Sequence, residues 1–168
     1  MTSPTTAHTA LRTASSADIP AIVDLINRAY LAEAACVEGL RTNVPDIEAK
    51  MRAGDFLLLE EAPGKLVGAV YAALVRGRGY LGLLSVDPDA QGRGLARVLV
   101  NAVEDWCRAR QCRYLDLTVI NVRHELFPLY RHFGFAPSDS VPFPRPEVMK
   151  VALHLVTMTK PLLPVELL

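Results

Sequence analysis

The stretch that decides the fold is LSVDPDAQGRGLARVLV, Leu84–Val100. A strand-like apolar run ends at Val86, a helical spacing begins at Leu95, and between them lies the glycine loop Gln91-Gly92-Arg93-Gly94. In a strand–loop–helix unit, the first turn of the helix carries N–H groups with no intrahelical acceptor. The helix dipole adds partial positive charge there, which suits a phosphate. Glycines at 92 and 94 let a ligand approach the backbone with no Cβ in the way, and Arg93 and Arg97 can add charge. The loop is too short for a P-loop and has no Gly-Lys-Ser/Thr end. It also lacks the three glycines of a dinucleotide-binding turn. A plain strand–helix turn is the alternative use of the same glycines.

The flanking sequence reads as alternating elements. Ala10–Ser15 predicts a first strand, and Asp18–Ala35 a helix with Pro20 in its first turn. Ile19, Ile22, Val23, Ile26, Ala29 and Tyr30 form its apolar stripe. Pro45–Gly54 predicts a short second helix. FLLLEE, the Pro63-Gly64 turn and KLVGAVYAALV predict a β-hairpin, and Gly79–Val86 a third consecutive strand entered through Gly77 and Gly79. Leu95, Val98, Leu99, Ala102, Val103 and Trp106 return to a helical period that runs to Arg110. A strand over Arg113–Ile120, a short helix ended at Gly134, a proline-rich link and a last strand over Val151–Thr159 complete the chain. The expected class is α/β: a mixed central sheet of six to seven strands with helices on both faces. The helix from Leu95 crosses over between two parallel strands.

The bulk properties narrow the function. A chain of 168 residues, 51% hydrophobic, suits one domain over residues 1–168, with residues 1–9 a flexible polar tail. Eighteen Lys and Arg balance eighteen Asp and Glu, which removes the broad basic surface of a nucleic-acid or anionic-membrane binder. Cys36, Cys107 and Cys112 have neither disulfide-framework nor zinc-ligand spacing. MTSPTTAHTA is no signal peptide, and no apolar run approaches a membrane span. The expectation is a soluble cytoplasmic protein.

Gln91-x-x-Gly94-x-Ala96 resembles the Gln/Arg-x-x-Gly-x-Gly/Ala signature of the GNAT superfamily of N-acetyltransferases. LSVDP is similar to the end of that family's fourth strand, and LYRHFGF to its late tyrosine-containing helix. The order of elements extends the resemblance over nearly the whole chain. It implies a sheet splayed between its fourth and fifth strands, with a bulge in the fourth, and acyl transfer from acetyl-CoA to an amine. The loop amides of Gln91, Gly92, Arg93, Gly94, Leu95, Ala96 and Arg97 would bind the CoA pyrophosphate. Backbone near Leu84, Ser85 and Val86 would pair with the pantetheine arm. No metal is implied.

Direct amine acylation needs a neutral amine, an oxyanion donor and a proton for the leaving thiolate. By the resemblance Tyr130 is the general acid; the other reading is an aromatic that anchors its helix. Asn121 ends the fifth strand, where the family often contacts the CoA arm, although Arg123 stands where that asparagine more often falls; a strand cap is the other reading. Asp116 resembles a catalytic carboxylate of some relatives, and is otherwise a solvent-facing strand residue. Glu38 and Arg41 lie in the connection that commonly lines the acceptor site, with Arg41 placed to meet an acceptor carboxylate; otherwise they are solvated charges. His124, His132 and His154 have no metal-ligand spacing. The expected acceptor is a small-molecule or peptide amine, and its selection falls to Cys36–Val44 and Ser138–Glu147. A non-catalytic acyl-CoA sensor is the alternative on the same scaffold. An exposed late strand could pair two copies into a homodimer.

Overall fold

FLLLEE is apolar in both directions: Phe56 and Leu58 are buried on one side of their strand, Leu57 and Leu59 on the other. Such a strand needs cover on both faces. The computed structural model describes residues 8–162, so residues 1–7 of the expected tail lie outside the described residues. Strands β1 (Ala10–Thr13), β2 (Gly54–Ala62), β3 (Lys65–Val75), β4 (Arg78–Val86), β5 (Tyr114–Ile120), β6 (Ala136–Pro142) and β7 (His154–Pro161) form one sheet in the order β1-β2-β3-β4-β5-β7-β6. Every neighbouring pair is antiparallel except β4 and β5.

Helices α1 (Ile19–Ala29) and α2 (Val44–Ala53) cover the Phe56 face through Ile22, Leu25, Ile26 and Ile47. Helices α3 (Leu95–Arg108) and α4 (Leu126–His132) cover the Leu57 face through Leu95, Leu99, Val103, Cys107 and Tyr130. Both stripes follow the helical period read in the sequence. Asn43 caps α2 by accepting from the Asp46 N–H at 2.9 Å. Helix α3 is the crossover that makes β4 and β5 parallel. Among the described residues no helix is long and apolar enough to cross a membrane.

Four local features depart from the expectation. Helix α1 stops at Ala29, and the chain tightens into a 3-10 turn over Tyr30–Glu33 instead of continuing to Ala35. No stop residue marks the place; a tertiary contact of Glu33, described below, accompanies it. The turn into β4 is Arg76-Gly77, both at positive φ (52° and 76°), as a two-residue hairpin turn requires. Gly79 lies inside β4. The stretch from Ala136 is an edge strand, although all its residues but Val141 are exposed and include Pro137 and Pro142, which is where a sheet tolerates proline. Strand β7 is paired on both sides, leaving β1 and β6 as the open edges.

Gly79 faces α3: a Cβ there would run into the Cys107 Sγ and stand 3.3 Å from the Tyr114 carbonyl oxygen. Gly79→Val should therefore cost about 1–3 kcal/mol through overpacking, read as a lower urea midpoint. An unchanged midpoint would mean that α3 is not seated this closely on β4.

Candidate functional site

Strands β4 and β5 pair only at Gly79↔Leu115 and Tyr80↔Asp116. Beyond that they part, and the β5-facing edge of β4 has no strand partner. On its other side β4 carries a bulge: Ala69 pairs with Ser85 and Tyr71 with Gly82, so Val70 faces both Leu83 and Leu84. Leu83 sits at φ +50°, a left-handed conformation that costs a branched side chain about 1–3 kcal/mol. The buried Ser85 hydroxyl donates to the Leu83 carbonyl at 3.0 Å and stitches the bulge.

The parting opens two adjoining cavities. The inner one, about 140 Å³, lies between Leu81–Leu84 of β4 and Leu117–Ile120 of β5, with Tyr30, Glu33, Arg41, Tyr130 and Arg145 around it. The outer groove, about 600 Å³, runs from Leu84 and Val86 past Gln91, Gly92, Gly94, Leu95, Ala96 and Arg97, with Arg123, Leu129 and Phe133 on its far wall. Tyr30, Leu84, Leu126 and Tyr130 border both.

At the loop, Gly92 and Gly94 adopt φ +81° and +74°, and a Cβ at either would meet nothing within 4 Å. Gly94 is the N-cap of α3, with no side-chain cap and no acidic residue in the first turn. The first amides of a fourteen-residue helix are thus left to a ligand or water. Arg93 does not point into the groove; its guanidinium pairs with Glu61 at 2.8 Å. Arg97 lies over the Phe133 ring at 4.9 Å.

Tyr130 is packed edge-on against Phe133 and Phe135. Its hydroxyl has no hydrogen-bond partner among the described residues, and burial pushes its pKa up to about 12. Tyr30 is likewise pushed up, first by burial and then by Tyr130, and the Arg41 guanidinium lies 5.2 Å from its ring centre. Glu33 is buried and accepts from Arg123 Nη1 at 3.1 Å. Burial raises its carboxyl above the usual range, outweighing the opposing pull of Arg123 and Arg41. Arg123 also donates from Nε to Glu125 at 2.5 Å.

The other expected site residues lie apart. Asp116 sits at the paired end of β4–β5, where both oxygens accept from Arg78 (2.5 and 2.8 Å) and one also from the Thr159 hydroxyl at 2.6 Å. The Arg78 hydrogen bonds hold its pKa below the ordinary carboxylate value. Such a carboxylate is a poor base and borders neither cavity. Asn121 caps the β5–β7 end: its Oδ1 accepts from the His154 N–H at 3.0 Å. Glu38 is exposed and its N–H donates to the Val148 carbonyl. Among the described residues no three His, Cys, Asp or Glu side chains are grouped to hold a metal.

Sequence reading missed Tyr30, Glu33 and Arg145. Tyr30 was hidden in the α1 stripe, and Glu33 in a helix expected to run on. Arg145 lies in a proline-rich link with no pattern to single it out.

In fold the chain is like N-acetyltransferases of known structure. The ribosomal-protein-S18-alanine N-acetyltransferase of Escherichia coli superposes with a TM-score of 0.74 at 19% identity, over 92% of this chain and 94% of that one. The Salmonella typhimurium protein yncA, solved with its cofactor acetyl-CoA, gives 0.71 at 22% identity, over 92% and 94%. The Acetyltransferase (GNAT) family profile matches residues 19–135, and the chain belongs to that family. Acetyltransferase SG1711 of Sodalis glossinidius (strain morsitans) is 32% identical over 97 residues, 57% of this chain and 68% of that protein.

The Glu33–Arg123 pair makes a direct prediction. Arg123→Met removes the guanidinium that most strongly opposes the effect of burial, so the Glu33 carboxyl should titrate at still higher pH. Carbon-13 NMR of the side-chain carboxyls would read this, and an unchanged Glu33 would show that the pair does not form in solution.

Proposed function

We propose that the chain transfers the acetyl group of acetyl-CoA directly to a primary amine, in the cytoplasm. What carries this reading is the continuous path from the glycine-capped start of α3, along the free edge of β4, to the Tyr130 hydroxyl between the two cavities. The amides of Gly92, Arg93, Gly94, Leu95, Ala96 and Arg97 hold the pyrophosphate; Gln91 shapes their turn. Leu84, Ser85 and Val86 pair through their backbone with the pantetheine arm, as a strand would. An amide of this edge faces the oxygen that becomes negative when the thioester is attacked.

The amine enters the inner cavity. Glu33, rather than Asp116, takes the ammonium proton, directly or through one water, because Asp116 already has both oxygens committed to Arg78. The free amine nitrogen then bonds to the acetyl carbon, the carbon–sulfur bond breaks, and Tyr130 gives its proton to the departing thiolate. The amide nitrogen's extra proton passes to solvent, solvent reprotonates Tyr130, and Glu33 releases the proton it took, which restores the site. Net products are the acetamide, free CoA thiol and one proton. A carboxyl raised by burial is better matched to an ammonium than an ordinary one.

Tyr130→Phe should lower kcat by about 10²-fold, the usual worth of a positioned proton donor, with little change in the KM for acetyl-CoA. Equal activity would end the acid assignment. In the wild type, kcat should rise with pH through the raised Glu33 carboxyl and show no fall from Tyr130 until pH nears about 12. Glu33→Gln should lower kcat and remove that limb; a limb that persists would place the base elsewhere.

Gly94→Trp fills the outer groove and forces a large residue into a left-handed conformation. Calorimetry should show CoA affinity reduced at least about tenfold, or ~1.4 kcal/mol. Unchanged affinity would remove the loop from the site.

A further inference from the structure

The acceptor side of the inner cavity holds two arginines, Arg41 and Arg145, that form no ion pair among the described residues. Arg41 and Arg145 both line it, together with an adjoining pocket bounded by Leu31, Leu40 and Glu33. Arg123, the third arginine nearby, is paired with Glu33 and Glu125. Among the described residues neither Arg41 nor Arg145 has a carboxylate partner; Arg41 rests on the Tyr30 ring instead. Two guanidinium groups whose donors are not taken up by a carboxylate, in one concave site, attract an anion, and their planar forks fit a carboxylate.

Their backbone supports are joined. Val37 and Met149 form an antiparallel bridge, the Glu38 N–H donates to the Val148 carbonyl at 2.8 Å, and the Lys150 N–H donates to the Cys36 carbonyl at 2.9 Å. Lys150 Nζ adds a bond to the Ala34 carbonyl at 2.8 Å. The connection after α1 and the one before β7 thus form a single roof that carries both arginines. Through Val37, Arg41 and Arg145 this roof forms one wall of the inner cavity, whose volume is about 140 Å³.

We infer that the acceptor is a small amino acid: its amine faces Glu33 and Tyr130, and its carboxylate faces Arg41 and Arg145. This rests on the acetyl-transfer reading above. Leu31 and Leu40, 65% and 70% exposed at the same rim, offer contact to an apolar side chain.

The test is CoA-thiol release from acetyl-CoA by the full chain, with matched acceptors. These are leucine and methionine, their amides, the corresponding amines lacking the carboxylate, and short peptides with acidic first residues. The free acids should exceed their amides and decarboxylated amines by at least about tenfold in kcat/KM, since a site built for a polar group penalises its absence. Arg41→Gln and Arg145→Gln should each collapse that ratio mainly through KM for the acid. Arg41→Lys should restore part of it, and Arg52→Gln, on the exposed face of α2, should preserve it. Unfolding midpoints report whether each variant is folded. Amides or simple amines turned over as well as the acids would overturn the inference while leaving acetyl transfer standing. Preferred turnover of the acidic peptides would overturn the small-acceptor claim. No release from any member, with CoA binding intact, would remove both the inference and the reading beneath it.

Discussion

The site depends on one failure of pairing. Two parallel strands that had run together along their length would have satisfied each other's backbone and left no cavity. Instead their ladder ends after Tyr80↔Asp116, and the bulge at Leu83–Leu84 turns β4 away from β5. Part of the cost is visible in the left-handed Leu83, and part of the compensation in its buried side chain and the Ser85 hydrogen bond. A backbone edge without a strand partner is a template for another extended chain. The α3 amides begin where that edge ends.

Charge is distributed in two separate places along the same seam. At the closed end, Arg78, Asp116 and Thr159 tie β4, β5 and β7 together where the ladder still holds. At the open end, Glu33 meets Arg123 in a much drier setting. The first carboxyl is pulled down by its partner and the second is pushed up by burial. A buried pair contributes little net stability, because desolvation offsets attraction. Beside this pair the Tyr130 hydroxyl is also held neutral by burial, and perturbed groups gathered in one cleft mark a candidate site.

Much of this was legible in the sequence, for local reasons. The glycine loop, the α3 stripe and the hairpin are each signalled within a dozen residues by turn chemistry or periodicity, whereas Tyr130 stood out only through the family resemblance of LYRHFGF. Asp116 shows where such reading stops: alternation put it on the right face of β5, but only the register with β4 brings Arg78 onto it. Arg93 likewise turns to Glu61, thirty-two positions away. Tyr30 and Glu33 were unreadable because no residue in α1 announces its end. Strand β6 was missed as a strand because an exposed edge needs no apolar alternation. Arg145 gains meaning only through a bridge between segments more than a hundred residues apart.

The most direct test is hydrogen–deuterium exchange of the chain with and without acetyl-CoA, since exchange reads individual backbone amides. If the free edge of β4 and the start of α3 together hold the thioester substrate, protection should concentrate in residues 84–97, with α2 unchanged. Protection absent from that segment, or confined to another part of the molecule, would contradict the account.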